Sequence, residues 1–95
     1  MDYREKLEEI VACGESFAED GGDFREVLSG AFGDRIECDA KTIIATNENN
    51  VNFAIWRHKK GFLVASLVVR GDVKADIALG EHLSAQVERI LAEAA

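Results

Sequence analysis

The chain has 95 residues, of which 47% are hydrophobic and 31% are charged, and its net charge is −7 at pH 7. This composition is typical of a folded globular protein with one hydrophobic core, which argues against intrinsic disorder and against a second domain. No run of 18 apolar residues occurs, and the first twenty residues are rich in carboxylates, so we expect neither a membrane span nor a signal peptide. We predict a single domain over residues 1–95 with no membrane partner.

The first predicted element is a long amphipathic helix over residues 2–20, whose apolar positions share one side of a helical wheel. Gly21 and Gly22 end it. The opposite side, here called the acidic face, carries five glutamates: Glu5, Glu8, Glu9, Glu15 and Glu19. A solubilising surface is the simplest interpretation of this face. A docking surface for a basic partner, a mimic of a nucleic-acid backbone and a weak cation site are the alternatives.

A second, shorter helix is predicted to begin after Asp23, which is placed to cap it with Glu26 as a reciprocal capping-box partner. Gly30 and Gly33 stop it early. A third helix closes the chain over residues 81–94, with its apolar residues on a single side.

Between the second and third helices the pattern changes from helical spacing to alternation, which predicts strands. The five strand-like runs are residues 35–39, 42–46, 51–57, 62–70 and 73–79. The turn-forming segments between them predict hairpins. These segments are Asn47–Asn50, His58–Gly61 and Arg70–Asp72.

The run 73–79 has an alternative, because the closing helix could begin at Asp76. We prefer a strand, since Gly80 inside a helix costs about 1 kcal/mol relative to alanine. Strand alternation then points Val73, Ala75 and Ile77 to the same side. The fold class is α+β: an antiparallel meander sheet of four to five strands, preceded by one long and one short helix and closed by a C-terminal helix.

The fourth strand, 62–70, is apolar on both faces, whereas one face of a meander packed by helices should be polar. The second face of the third and fourth strands supplies the candidate partner-binding residues: Ala54, Trp56, Phe62, Val64 and Val68. Large apolar patches are rare on monomers, so we expect this second face to be covered. The candidate covers are the second short helix, a second copy of the chain and another protein.

Other motifs are weaker. Residues Arg57–Lys60 form a basic cluster beside Trp56, but four residues are too few for a nucleic-acid surface, so we expect no direct nucleic-acid binding. Neither His58 nor His82 has another metal ligand at zinc-like spacing. No nucleophile, acid–base or phosphate-loop pattern stands out. We therefore expect no metal, no cofactor and no enzymatic activity.

Cys13 and Cys38 lack the spacing of a redox or metal motif. We expect both to be small, partly buried apolar residues in a reducing cytoplasm, while a bridge between them stays open as an alternative.

Two resemblances concern architecture alone. The acidic first helix, the run Asp34–Cys38 and the following Thr42–Ile44 resemble the opening of frataxin-type domains, which implies a helix–sheet–helix order. The stretch from Phe24 to the C-terminus resembles the latter half of roadblock-type domains, in which a sheet and a closing helix build dimers that dock on small GTPases.

The sequence favours a non-enzymatic protein-binding or regulatory module that associates with itself or with a protein partner through the second sheet face. The alternative is an acidic inhibitor of a nucleic-acid-binding enzyme, acting through the five glutamates of the acidic face.

Overall fold

The structure is a computed structural model that describes residues 2–33 and 35–95. Over these residues the chain forms three helices and five strands. The helices are α1 (Tyr3–Glu19), α2 (Phe24–Phe32) and α3 (Glu81–Glu93). The strands are β1 (Ile36–Cys38), β2 (Ile43–Thr46), β3 (Val51–Arg57), β4 (Leu63–Val69) and β5 (Asp72–Ala78). Asp34, the first residue of the frataxin-like run, lies outside the described residues.

The five strands form one antiparallel sheet in the order β1-β2-β3-β4-β5, so the predicted α+β meander is confirmed. The alternative helix start at Asp76 is wrong, because β5 pairs with β4 from Asp72 to Ala78. A two-residue turn, Arg70–Gly71, joins β4 to β5 with positive φ angles of 54° and 85°. Turns of this kind match the right-handed twist of the paired strands.

A β-bulge corrects the predicted orientation of Val73. The register of β5 shifts between Leu67 and Val68, so that Ala75 pairs with Leu67 while Val73 pairs with Val68. Directly paired residues of antiparallel strands lie on the same face. Val73 therefore lies on the opposite face from Ala75, because the bulge inserts one extra residue that simple alternation does not anticipate.

All three helices contribute to one cluster of buried apolar residues on one face of the sheet. Phe24 and Phe32 of α2 lie with their ring centroids 5.9 and 5.8 Å from that of Phe53 on β3. Aromatic pairs at such distances add to the energy of simple burial. The second short helix thus packs on the same face as the other two helices, so of the three candidate covers of the second face this one is wrong.

The N-terminus of α2 differs in detail from the predicted capping box. Asp23 is the N-cap, and its carboxylate accepts a hydrogen bond from the backbone N–H of Arg25 at 2.8 Å. Its side-chain partner is Arg25 rather than Glu26, with an Nη2 to Oδ2 distance of 2.7 Å. The hydrogen bond from this guanidinium holds the pKa of Asp23 below its usual value.

Glu15 caps α3 from outside that helix. The N-cap of α3 is Gly80, which has no side chain to offer, and Glu15 of α1 accepts hydrogen bonds from the first backbone N–H groups. Its two carboxylate oxygens lie 2.7 Å from the N of His82 and 2.9 Å from the N of Leu83. A Cβ on residue 80 would lie 2.5 Å from the Glu15 carboxylate, so glycine leaves the space that this cap needs.

We predict that Glu15→Ala lowers the free energy of unfolding by about 1–2 kcal/mol, because two helix N–H groups lose their acceptor and a negative charge leaves the helix N-terminus. Urea unfolding followed by circular dichroism measures the change. Glu9→Ala is the matched control, since Glu9 is an exposed glutamate of the same helix; a surface change of this kind is expected to stay within about 0.5 kcal/mol. Equal effects of the two substitutions would refute the capping role.

Candidate protein-binding face

The sheet face opposite the helices is here called the open face. Strand alternation and register place on it three cross-strand rows of side chains. These rows are Trp56, Val64 and Ala78; Glu37, Ile44, Ala54, Ser66 and Asp76; and Thr46, Asn52, Val68 and Val73. The centre of each row is apolar or uncharged, whereas acids stand only at the two sheet edges. Among the described residues no helix packs on this face, because the buried residues of all three helices belong to the cluster on the other side.

Trp56 shelters the middle of β4 on the open face. It pairs directly with Val64, and its Nε1–H donates a hydrogen bond to the Ser66 hydroxyl at 2.8 Å, so the indole extends over β4. Val64 and Ser66 are consequently only 5% and 2% exposed although no helix covers them. The half-buried indole therefore forms part of the surface that a partner would meet.

The polar groups of the open face are paired with one another. Besides the Trp56–Ser66 bond, the Thr46 hydroxyl donates to Asn52 Oδ1 at 2.8 Å across β2 and β3. These two hydrogen bonds are already formed within the chain, so an interface that buries the bonded atoms does not leave them without partners. The surface they leave between the acidic edges is suited to apolar contact.

The most exposed large apolar side chains among the described residues both belong to this face. Phe62, which precedes β4, is 45% exposed, and Val73 is 61% exposed. Phe62 continues the alternation of Val64 and Val68, and Val73 lies beside Val68 because of the bulge. An apolar stripe therefore runs along the length of β4 and ends in an exposed side chain at each end.

The β3–β4 hairpin tip adds a stacked ring pair to this stripe. The rings of His58 and Phe62 lie with centroids 4.5 Å apart and planes 10° from parallel. Arg57 lies on the helix side of the sheet, where its guanidinium pairs with Glu88 of α3 and also donates a hydrogen bond to the backbone carbonyl of Gly61 at 2.9 Å; the Glu88 carboxylate raises the pKa of Arg57. The basic cluster foreseen in the sequence is thus divided between two sides of the molecule, with His58 adjoining the open face.

All five candidate partner-binding residues lie on the open face: Ala54, Trp56, Phe62, Val64 and Val68. Val64 offers little surface, because Trp56 covers it. Sequence reasoning missed Ile44, Ala78 and Val73, which extend the face over β2 and β5. The alternation in residues 42–46 would have assigned Ile44 to this face. No pattern in the sequence marks the bulge that brings Val73 to the same side.

The five glutamates of the acidic face do not behave alike. Glu5, Glu8, Glu9 and Glu19 are exposed, whereas the Glu15 carboxylate is taken up in capping α3. Glu8 pairs with Arg4 at 3.2 Å. The surface available to a basic partner is therefore smaller than the sequence suggests, because only three exposed glutamates remain outside an ion pair or a cap.

The two cysteines are free and exposed, which corrects the expectation that they are partly buried. Cys13 lies on the outer side of α1, and Cys38 ends the short edge strand β1, where partial desolvation and the neighbouring Asp39 raise the pKa of its thiol. The described residues bring together no group of three His, Cys, Asp or Glu side chains that could hold a metal ion. His82 is exposed, as its position off the apolar side of α3 predicts.

Over residues 2–33 and 35–95, no helix has the length and apolar character needed to cross a membrane. Comparisons with protein-family models, with curated proteins and with solved structures gave no match. The frataxin-like and roadblock-like resemblances thus stay resemblances of element order.

Proposed function

We propose that this chain is a non-enzymatic protein-binding module that associates reversibly with a second copy of itself through the open face. The observation that supports this proposal is the position of the exposed apolar side chains. Phe62 and Val73 both lie on the sheet face without helices, next to the half-buried Trp56. Contiguous apolar surface of this kind is characteristic of interaction sites.

The dimensions of the open face favour a weak dimer. Four strands at a spacing of about 4.8 Å give the width of the open face, and seven residues with a rise of about 3.4 Å each give its length. The flat area of the face is therefore roughly 450 Å². Two copies would bury roughly 900 Å² in flat outline, which lies below the standard size of about 1,200–2,000 Å² and within the range of transient complexes. We therefore expect association in the micromolar to millimolar range.

The chemistry of the open face favours a second copy over an unrelated partner. Its central polar groups already bond to each other, as the Trp56–Ser66 and Thr46–Asn52 pairs do. A twofold interface brings the same patch together from both subunits, so it requires a surface that complements itself. An apolar patch whose central polar groups bond to each other meets this requirement, and the acids Glu37 and Asp76 stay at its rim, where solvent reaches them.

Sedimentation equilibrium of the purified chain over a range from low micromolar to near-millimolar concentration tests this proposal. We expect the average mass to rise with concentration from that of a 10.4 kDa monomer towards twice that value. A monomer mass at every concentration would contradict self-association. If a partner of different sequence saturates the open face instead, the chain stays monomeric alone and the proposal fails in favour of a heteromeric module.

A further inference from the structure

A groove lies at one end of the sheet, where the β2–β3 and β4–β5 turns approach the start of α1. Its volume of about 600 Å³ falls in the range of small-molecule sites. Its lining includes Tyr3, Lys6, Asn49, Arg70, Asp72 and Lys74. They come from three separate parts of the chain, so the fold rather than a local motif assembles the groove.

The charge of this groove is opposite to that of the protein. Three bases and one acid line it, whereas the whole chain carries a net charge of −7. Three ion pairs are present among the described residues, and each involves a different arginine: Arg4, Arg25 or Arg57. The described part of the chain thus provides no ion-pair partner for Lys6, Arg70 or Lys74. Converging cations without partners repel one another and are relieved by a bound anion.

Arg70 occupies a backbone conformation that its side chain does not favour. Its φ of 54° lies in the left-handed region, which Asn and Gly adopt more readily than other residues. The first position of such a two-residue turn is usually Asn, Asp or Gly. Strain of this kind is a reason to look for a function of the side chain, because a residue better suited to the turn would fold more easily.

We propose that this groove binds a small molecule that bears a phosphate or pyrophosphate group. The guanidinium of Arg70 suits two phosphate oxygens at once, and Lys6 and Lys74 add point charges on either side. Tyr3 is half-buried in the same wall and offers an aromatic surface to the rest of the ligand, while the amide of Asn49 offers hydrogen bonds. This site is separate from the residues proposed for self-association.

Thermal unfolding of the full chain in pyrophosphate tests this inference, with sodium chloride and sodium sulfate of equal ionic strength as references. At several times its dissociation constant, pyrophosphate is expected to raise the Tm by about 4–8 °C over both references. Equal shifts in sulfate, or no shift beyond that in chloride, would overturn the proposal.

Arg70→Asn is the decisive variant, because asparagine tolerates the positive φ and removes the charge. We expect its Tm without ligand to be equal to or higher than that of the original chain, and most of the pyrophosphate shift to be lost. Lys41→Asn removes an exposed cation from another turn and should keep the full shift. Equal losses in the two variants would indicate a general charge effect and would refute the assignment of the site.

Discussion

Replacing Gly14 by alanine is expected to lower the free energy of unfolding by about 1–2 kcal/mol, although alanine is the better helix former. Gly14 is buried in α1, where α2 and α3 approach it closely. A Cβ at this position would lie 2.4 and 2.6 Å from two ring carbons of Phe24 and 3.2 Å from Leu83 Cδ2. The Phe24 ring is fully buried and cannot move without disturbing its contact with Phe53. Contacts this short place the overpacking cost in the upper part of the usual range, at about 2–3 kcal/mol, which exceeds the gain of about 1 kcal/mol in helix propensity.

Gly30→Ala is the matched control for this prediction. Gly30 also lies inside a helix, but a Cβ there would meet no atom within 4 Å. The substitution is therefore expected to raise the free energy of unfolding by about 0.5–1 kcal/mol. Urea unfolding of both variants measures the two changes under the same conditions. If Gly14→Ala stabilised the protein as Gly30→Ala does, the result would refute the conclusion that the three helices pack too closely around Gly14 to admit a Cβ.

The second large effect is expected for Phe62→Glu, which should weaken self-association by at least about 2 kcal/mol, or roughly thirtyfold in Kd. The substitution removes the ring that stacks on His58 and places a carboxylate beside the apolar stripe of the open face. A carboxylate buried against a second apolar face loses its hydration, and contact with the neighbouring His58 at the hairpin tip offsets only part of that desolvation cost. Because Phe62 is 45% exposed in the single chain, we expect the fold itself to tolerate the change. Sedimentation equilibrium measures the loss.

Ala85→Glu is the control for Phe62→Glu, since it adds the same charge at an exposed position of α3, away from the open face. Its Kd is expected to stay close to that of the original chain. A similar loss of dimer in both variants would mean that net charge, rather than the open face, governs association.

The fold was predictable from the sequence because apolar periodicity reports which side of each element is buried. The two-sided apolar pattern of residues 62–70 identified the most buried strand, β4, and Gly80 correctly separated β5 from α3. Residues at the ends of elements were also predictable where turn chemistry is local, as at Asp23 and at the Arg70–Gly71 turn.

The features that escaped prediction depend on contacts between residues far apart in the chain. Glu15 reaches an α3 N–H 67 residues away, so its helical spacing alone placed it with the surface glutamates. Trp56 covers Ser66 through a diagonal contact between strands that alternation does not describe. The bulge at Val73 changes the face of one residue without changing the sequence pattern. The sequence therefore placed the five candidate residues on one sheet face correctly, whereas the extent of that face required the register.

The emission spectrum of Trp56 on dilution is the most direct test of self-association through the open face. Trp56 is the only tryptophan of the chain and lies on that face in the cross-strand row with Val64 and Ala78. We predict that dilution from near-millimolar to low micromolar concentration shifts the emission to longer wavelength as the indole becomes exposed to water, in parallel with a fall in mass from dimer to monomer. An emission maximum that stays constant while the mass falls would show that the chain associates through a different surface, and a constant mass would show that it does not associate at all.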